Sequence, residues 1–254
     1  MTSTAALSLR LRADGQPPHH WQSPCRQDTL PRMELIARGR DADVYALDGS
    51  RVLRRYRHGG PTAREARLMA DLAARGYPVP TVYEVSGADL VLERLDGPTM
   101  LDVLAAQPWR GRSLGRTLGG LLDRLHALPA PAWLPGRFGT GGDDRVLHLD
   151  LHPGNVVLTG RGPVVIDWRD ARAGDPAADV AMTLVTIGSA ELPGPALRLA
   201  RRPLLRSVRE GREAGLAART REVVEAKLAD PHLLPSEAAW LGRRTGGRTE
   251  RPGP

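Results

Sequence analysis

Asp150, Asn155 and Asp167 are the residues of this chain whose types and spacing could do chemistry. An Asn carbonyl and an Asp carboxylate make a partial shell for magnesium, a hard cation that keeps several positions for water and phosphate oxygens. A second carboxylate beside such a shell is placed to accept a proton from a hydroxyl group. The elements that must position these groups lie in residues 146–168, VLHLDLHPGNVVLTGRGPVVIDW. Val156, Val157 and Leu158 form one short apolar run and Val164, Val165 and Ile166 another, with Thr159, Gly160, Arg161 and Gly162 as a turn between them. Paired as a β-hairpin, the runs bring Asn155, before the first strand, close to Asp167, after the second. Pro153 and Gly154 bend the chain so that Asp150 lies near both. An Asp, a Pro-Gly pair and an Asn between strands are also ordinary turn chemistry, so the cluster takes its meaning from the text around it.

Asp150 and Asn155 stand five positions apart, the interval of the kinase loop H-R-D-x-x-x-x-N, and Asp167 falls where that template has its second metal-binding Asp. The text is His148-Leu149-Asp150-Leu151-His152-Pro153-Gly154-Asn155, then Ile166-Asp167-Trp168, then Gly174-Asp175-Pro176-Ala177-Ala178-Asp179-Val180-Ala181. These three blocks, in this order, resemble the aminoglycoside phosphotransferase and choline kinase branch of the kinase-like superfamily, which writes close to HGDLHPGN, IDW and GDPxxDLA. Protein kinases carry Arg after the His, Lys before the Pro and Phe-Gly after the second Asp, and this chain has none of those.

The resemblance implies an α+β, bilobal protein-kinase-like fold: a small β-rich N-lobe with one helix, and a mostly helical C-lobe carrying the catalytic hairpin. It implies transfer of the γ-phosphoryl of ATP, with GTP also compatible, to a hydroxyl of a small molecule in the presence of Mg2+. By the same resemblance Asp150 is the catalytic base, Asn155 and Asp167 hold the metal, and Asp179 braces the catalytic loop. A helix-start acid favoured by the N-terminal dipole is the competing reading of Asp179. His148 is expected to pack under the loop and hold backbone. A zinc pair of His148 with His152 is discounted, because no further Cys or His has zinc-site spacing.

Upstream, residues 33–57 read as three strands separated by turns at 39–43 and 48–50. In the kinase-like reading Gly39 opens the loop that covers the nucleotide, although a generic hairpin loop explains it equally. The third strand should carry the lysine that holds the phosphates, and this half of the chain has no lysine. Arg54 is the aligned candidate; its guanidinium contacts phosphate as a fork and not as a point charge. A helix opens at Thr62 and ends at Gly76. Within it Glu65 either completes a capping box with Thr62 or, by resemblance, pairs with Arg54, and the two can coexist. A hairpin over 81–95 leads to Glu93 and Leu95, where backbone would meet the adenine. Ser113 is expected to cap a helix carrying Leu114, Leu118, Leu121, Leu122 and Leu125. Asp175-Pro176 starts another helix, 197–228 is one helical stretch broken at 230–232, and 237–241 is a last short helix.

Composition bounds the rest. The chain has 254 residues, 41% of them hydrophobic, enough for a two-lobed domain with its own core. Of 36 Lys and Arg, Lys227 is the only lysine, and the formal charge is +7. Arginines spread along the whole chain, without a basic stripe interleaved with aromatics, argue against nucleic acid as a partner. The single Cys25 allows no intrachain disulfide, which makes the cytoplasm the default compartment. No run approaches the ~18 apolar residues of a membrane helix. The expected division is a disordered extension over 1–32 with natural translation starting at Met33, an N-lobe over 33–96, a C-lobe over 97–241 and a flexible tail over 242–254. The missing lysine and the short C-terminal part motivate an alternative, a nucleotide-binding regulator without catalysis. The acceptor and the oligomeric state stay open: acids such as Glu210, Glu222 and Glu225 are available, but arginines outnumber them locally.

Overall fold

The first strands place their apolar residues unevenly: β1 (Glu34–Arg38) is exposed throughout, and burial is concentrated in the third strand. Strand β3 (Arg51–Tyr56) buries Val52, Leu53 and Tyr56 and leaves Arg51 and Arg55 exposed. It lies at the centre of an antiparallel sheet ordered β1-β2-β3-β5-β4, with β1 (Glu34–Arg38), β2 (Ala42–Ala46), β4 (Val82–Ser86) and β5 (Asp89–Glu93). Across this sheet Arg54 stands opposite Val44 on one side and Leu90 on the other. The computed structural model describes residues 33–39, 41–139, 142–192, 194–229 and 233–243. The expectations for 1–32, for the break at 230–232 and for the tail from 244 lie outside the described residues.

Helix α1 (Thr62–Ala74) packs Leu68, Met69 and Leu72 into the core, and Glu65 lies on the same buried stripe. Thr62 is not its cap. The residue at the cap position is Pro61, and the Thr62 hydroxyl donates to the Gly87 carbonyl at 2.6 Å. The expected capping box is therefore not formed, and the Glu65 carboxylate is free to bond elsewhere.

The chain leaves the sheet through Gly97, whose φ of 146° is a conformation that side-chain-bearing residues rarely adopt. A Cβ there would overlap the Leu158 carbonyl. The next residues pair with the hairpin, Leu158 N–H donating to Pro98 O at 2.9 Å. A short helix α2 (Met100–Ala106), which the sequence reading lacks, follows with a capping box between Thr99 and Asp102. Helix α3 (Gly111–His126) buries the expected leucine stripe but begins two residues before Ser113, whose hydroxyl instead donates to Arg110 O at 2.9 Å.

Two small antiparallel pairs carry the loops of interest. Strand β6 (Arg145–Leu147) pairs with β9 (Arg172–Gly174). Strand β7 (Val156–Thr159) pairs with β8 (Gly162–Val165), Val156 opposite Val165, so Ile166 lies just past the ladder. Helix α4 (Pro176–Ser189) is capped by the Asp175 side chain, which accepts from Ala177 N–H at 2.9 Å. The expected single stretch over 197–228 is two helices, α5 (Pro195–Arg209) and α6 (Leu216–Leu228), separated at Gly211 and Gly215, both at positive φ. Gly242 ends a final helix α7 (Pro235–Gly242). Glycines 111 and 115 of α3 let α5 approach at backbone contact: a Cβ on Gly115 would lie 2.6 Å from Leu204 O and one on Gly111 2.7 Å from Ala200 O. Among the described residues no helix is long and apolar enough to cross a membrane.

Gly97→Ala should be costly for two independent reasons, the unfavourable φ and the overlap with Leu158. A loss of about 2–4 kcal/mol, or a melting temperature lower by roughly 5–15 °C, is expected by thermal denaturation. A change under 1–2 °C would show that the crossing does not need glycine.

Candidate active site

Asp179 is buried in the first turn of α4, at 0% exposure, and a carboxylate there must be fully hydrogen-bonded. Its Oδ1 accepts the Leu149 N–H at 2.7 Å, and its Oδ2 accepts the His148 N–H at 2.9 Å and faces His126 Nε2 at 3.0 Å. Burial alone would push this carboxyl up; the hydrogen bond and charge of His126, with help from His148, outweigh it and hold the group below the ordinary value. The two backbone bonds fix Leu149 at φ 62°, a left-handed conformation that costs a residue of this kind about 1–2 kcal/mol. The helix-start reading of Asp179 is thus the minor one: its oxygens are spent on the loop over 148–155.

His148 ties that loop to the end of the hairpin. Its Nδ1 accepts the Asp150 N–H at 3.2 Å, so Nε2 must carry the proton and donate to Ile166 O at 3.1 Å. Its ring stacks obliquely on Trp168, with centroids 4.7 Å apart. Asn155 donates its amide to Asp150 O at 2.9 Å and more weakly to Asp150 Oδ2 at 3.4 Å, which leaves its Oδ1 free for another partner. Asn155 O accepts the Ile166 N–H at 3.0 Å, and this backbone bond brings the start of β7 beside Asp167.

From the sheet, Arg54 reaches into the same place. Its Nη1 donates to Glu65 Oε1 at 2.7 Å and its Nη2 to Asp167 Oδ1 at 2.6 Å. Glu65, 1% exposed, also accepts the Tyr56 hydroxyl at 2.6 Å and the Trp168 N–H at 3.2 Å. Burial raises the Glu65 carboxyl above its usual value even against the Arg54 charge. Asp167 behaves oppositely: burial would raise it, but the charge and hydrogen bond of Arg54 prevail and hold it low. Asp150 is raised, first by burial, against the pull of His152 and His148. His152, held by Gly154 N–H donating to its Nδ1 at 3.0 Å, turns Nε2 toward Asp150 Oδ2 at 3.8 Å and is lowered by burial.

A cleft of about 1200 Å³ is lined by Gly39, Arg54, Glu65, Glu93, Leu95, Asp150, Asn155 and Asp167, eight of the ten expected site residues. The other two, His148 and Asp179, lie beneath it, both at 0% exposure. The upper cleft is walled by Val52 and Leu92 from the sheet and by Leu149, Val157 and Ile166 from below. Glu93 ends strand β5. Its N–H donates to Thr81 O at 2.9 Å and its carboxylate grips Arg161 of the β7–β8 turn at 2.5 and 2.8 Å. Leu95 lines the cleft, and its N–H has no hydrogen bond among the described residues. Beyond Gly39, the covering loop includes Arg40, outside the described residues. Asn155 Oδ1 and the second oxygen of Asp167 are hard-oxygen donors of the chemical kind that magnesium takes.

Sequence reasoning missed Tyr56 and His126, which satisfy the buried acids, and Trp168 as the platform under the loop. The one signal available was Glu65 itself, an acid on the apolar stripe of α1 with Leu68, Met69 and Leu72, which must find buried partners.

Residues 32–141 and 132–217 match the model of the phosphotransferase enzyme family. This chain belongs to that family. Its fold is similar to that of the aminoglycoside phosphotransferase APH(4)-Ia, with a TM-score of 0.61 and 17% identity over 83% of this chain and 90% of the other. A thermostable mutant of that protein, solved as a ternary complex with AMP-PNP and hygromycin B, aligns at a TM-score of 0.52 and 17% identity over 86% of this chain and 95% of the other. A probable bifunctional tRNA threonylcarbamoyladenosine biosynthesis protein of Methanosarcina mazei is 26% identical over 156 residues, 55% of this chain. The aligned stretch spans only 24% of that relative's own length. The α+β kinase-like architecture expected from the motifs is the one this family member has.

The role of Asp179 has a pH signature. Its folded-state value lies below the ordinary 3.8, so its contribution to stability is fully present above about that pH and is lost as pH falls through the lower folded value. Asp179→Asn should therefore cost about 2–4 kcal/mol near pH 7 by leaving a buried N–H unpaired. Denaturant midpoints of the variant and the parent should converge below pH 4; a gap independent of pH would contradict the assignment.

Proposed function

We propose that this phosphotransferase-family protein moves the γ-phosphoryl group of a nucleoside triphosphate, ATP in the first place, onto a hydroxyl group of a small molecule. The observation that carries the reading is that Asp150, Asn155 and Asp167 face one cleft from a loop and from the far end of its hairpin. The nucleotide complex of the APH(4)-Ia mutant supports a nucleotide in the upper cleft. There, Val52, Leu92, Leu149 and Val157 offer an apolar slot and Leu95 a backbone group for the base.

In this reading Asp150 accepts the proton of the acceptor hydroxyl as its oxygen bonds to phosphorus and the bond to the nucleoside diphosphate breaks. The raised Asp150 carboxyl is a better base than an exposed aspartate, and the His148 bond to its N–H keeps it aimed. Arg54, held by Glu65, neutralises phosphate charge. Asn155 and Asp167 would hold Mg2+, which draws electron density from the phosphate oxygens when bound. Phosphoryl transfer has a loose transition state, so positioning and charge carry most of the acceleration. The division into an N-lobe over 33–96 and a C-lobe over 97–241, and a cytoplasmic site of action, belong to the same reading.

One observation favours a second reading, a nucleotide-binding regulator: Arg54 already bonds one oxygen of Asp167 at 2.6 Å. Calorimetry with magnesium-ATP followed by a panel of alcohol acceptors separates the two. Asp167→Ala is expected to abolish magnesium-dependent nucleotide turnover. Asp150→Asn should keep nucleotide binding and lower transfer by about 10²–10⁴-fold. Since Asp150 must be ionised to act and its value is raised, kcat/KM should fall on acidification at a pH above the ordinary aspartate range. Full activity in both variants, or an acid limb at 3.8 or lower, would refute the assignment.

A further inference from the structure

Beyond Asp150 the cleft continues into a second half, lined by Met182 and Thr186 of α4, Ala226 and Lys227 of α6, and Leu233. Met182, Ala226 and Leu233 give it an apolar wall, and among the described residues two polar groups stand in it without a protein partner. The Thr186 hydroxyl oxygen is buried with no hydrogen bond. Lys227, half-buried, makes no ion pair or side-chain hydrogen bond among the described residues. A cation left unpaired in a partly dry cleft is costly unless something negative meets it. Of the acids lining the cleft, Glu237 accepts the Leu234 N–H at 3.2 Å and Asp41 pairs with Arg169, and among the described residues none bonds Lys227. Lys227 lines the same cleft as Asp150 and His152. Arg137 adds positive charge at the rim. Lys227 is also the single lysine among 36 basic residues, a compact ammonium where the rest of the chain uses the broader guanidinium.

We propose that this half of the cleft takes the acceptor, and that Lys227 selects a small alcohol bearing an anionic group, carboxylate or phosphate, a few bonds from the hydroxyl to be phosphorylated. The inference rests on the phosphotransferase reading above. Thr186 would bond a further polar group of the same molecule. The charge that favours an anion disfavours polyamines.

The test uses matched acceptors on the full chain with magnesium-ATP: glycerate against glycerol, gluconate against sorbitol, glycerol 3-phosphate to separate phosphate from carboxylate, and kanamycin as a polycation. A charge-assisted contact of this kind should give the anionic member a kcat/KM about 10- to 100-fold higher. Lys227→Gln should bring that ratio near one, through KM for the anion, and Lys227→Arg should keep its direction. A second readout needs no variant and no turnover. Reductive methylation with labelled formaldehyde marks one lysine, and its dimethylammonium resonance should move with glycerate or glycerol 3-phosphate and not with glycerol. Preference for neutral or cationic acceptors, a ratio unchanged in Lys227→Gln, or a resonance that no anion moves would each overturn the inference. Loss of magnesium-ATP binding and of all transfer would instead defeat the phosphotransferase reading, whereas magnesium-ATP binding with transfer to sorbitol or kanamycin alone defeats only this one.

Discussion

The bonds from the buried Asp179 carboxylate to two consecutive backbone N–H groups are the constraint on which the site depends. They keep Leu149 in a left-handed conformation that its side chain would not choose. That conformation turns the next residue, Asp150, toward the cleft while Leu149 and Leu151 stay buried on either side. A carboxylate inside a helical core is costly by itself, and it is stable here because His126 and the loop backbone saturate it. The core and the loop over 148–155 therefore cannot be formed independently of each other.

A second buried acid does the same work for the sheet. Glu65 gathers Arg54, Tyr56 and the Trp168 N–H, so strand β3, helix α1 and the end of the hairpin meet at one carboxylate. Asp167 enters this network from its own left-handed position, φ 66°, a conformation Asp tolerates better than Leu does. Arginine in place of lysine at position 54 has a structural use here, since its planar fork gives each of two carboxylates its own N–H group in a fixed geometry.

How much of this was legible follows from the range of the interactions. The β7–β8 hairpin, β3 and α1 were readable because their signals are local: apolar runs, a Gly-rich turn, a leucine stripe. Asp150, Asn155 and Asp167 were readable because a fixed interval and a hairpin suffice to bring them together. The β6–β9 pair was not, since two three-residue strands separated by more than twenty positions show no alternation to read. Thr62 to Glu65 fitted a capping box locally, and the longer-range bond to Arg54 prevailed because only it satisfies a buried charge. His126 gave no sign of its role at the end of α3, where it could equally have been a C-terminal dipole partner. The split of 197–228 rested on Gly211 and Gly215, which arginine-rich text on either side obscured.

The glycine contacts of α3 also bear on how such a molecule can diversify. Where α3 and α5 touch backbone to backbone, any added carbon collides with a carbonyl, so that face has almost no room to drift. The walls of the lower cleft are different: Met182, Thr186, Ala226 and Leu233 border its open volume. Change in what this cleft holds should therefore be recorded on α4 and α6, while the α3–α5 seam stays as it is.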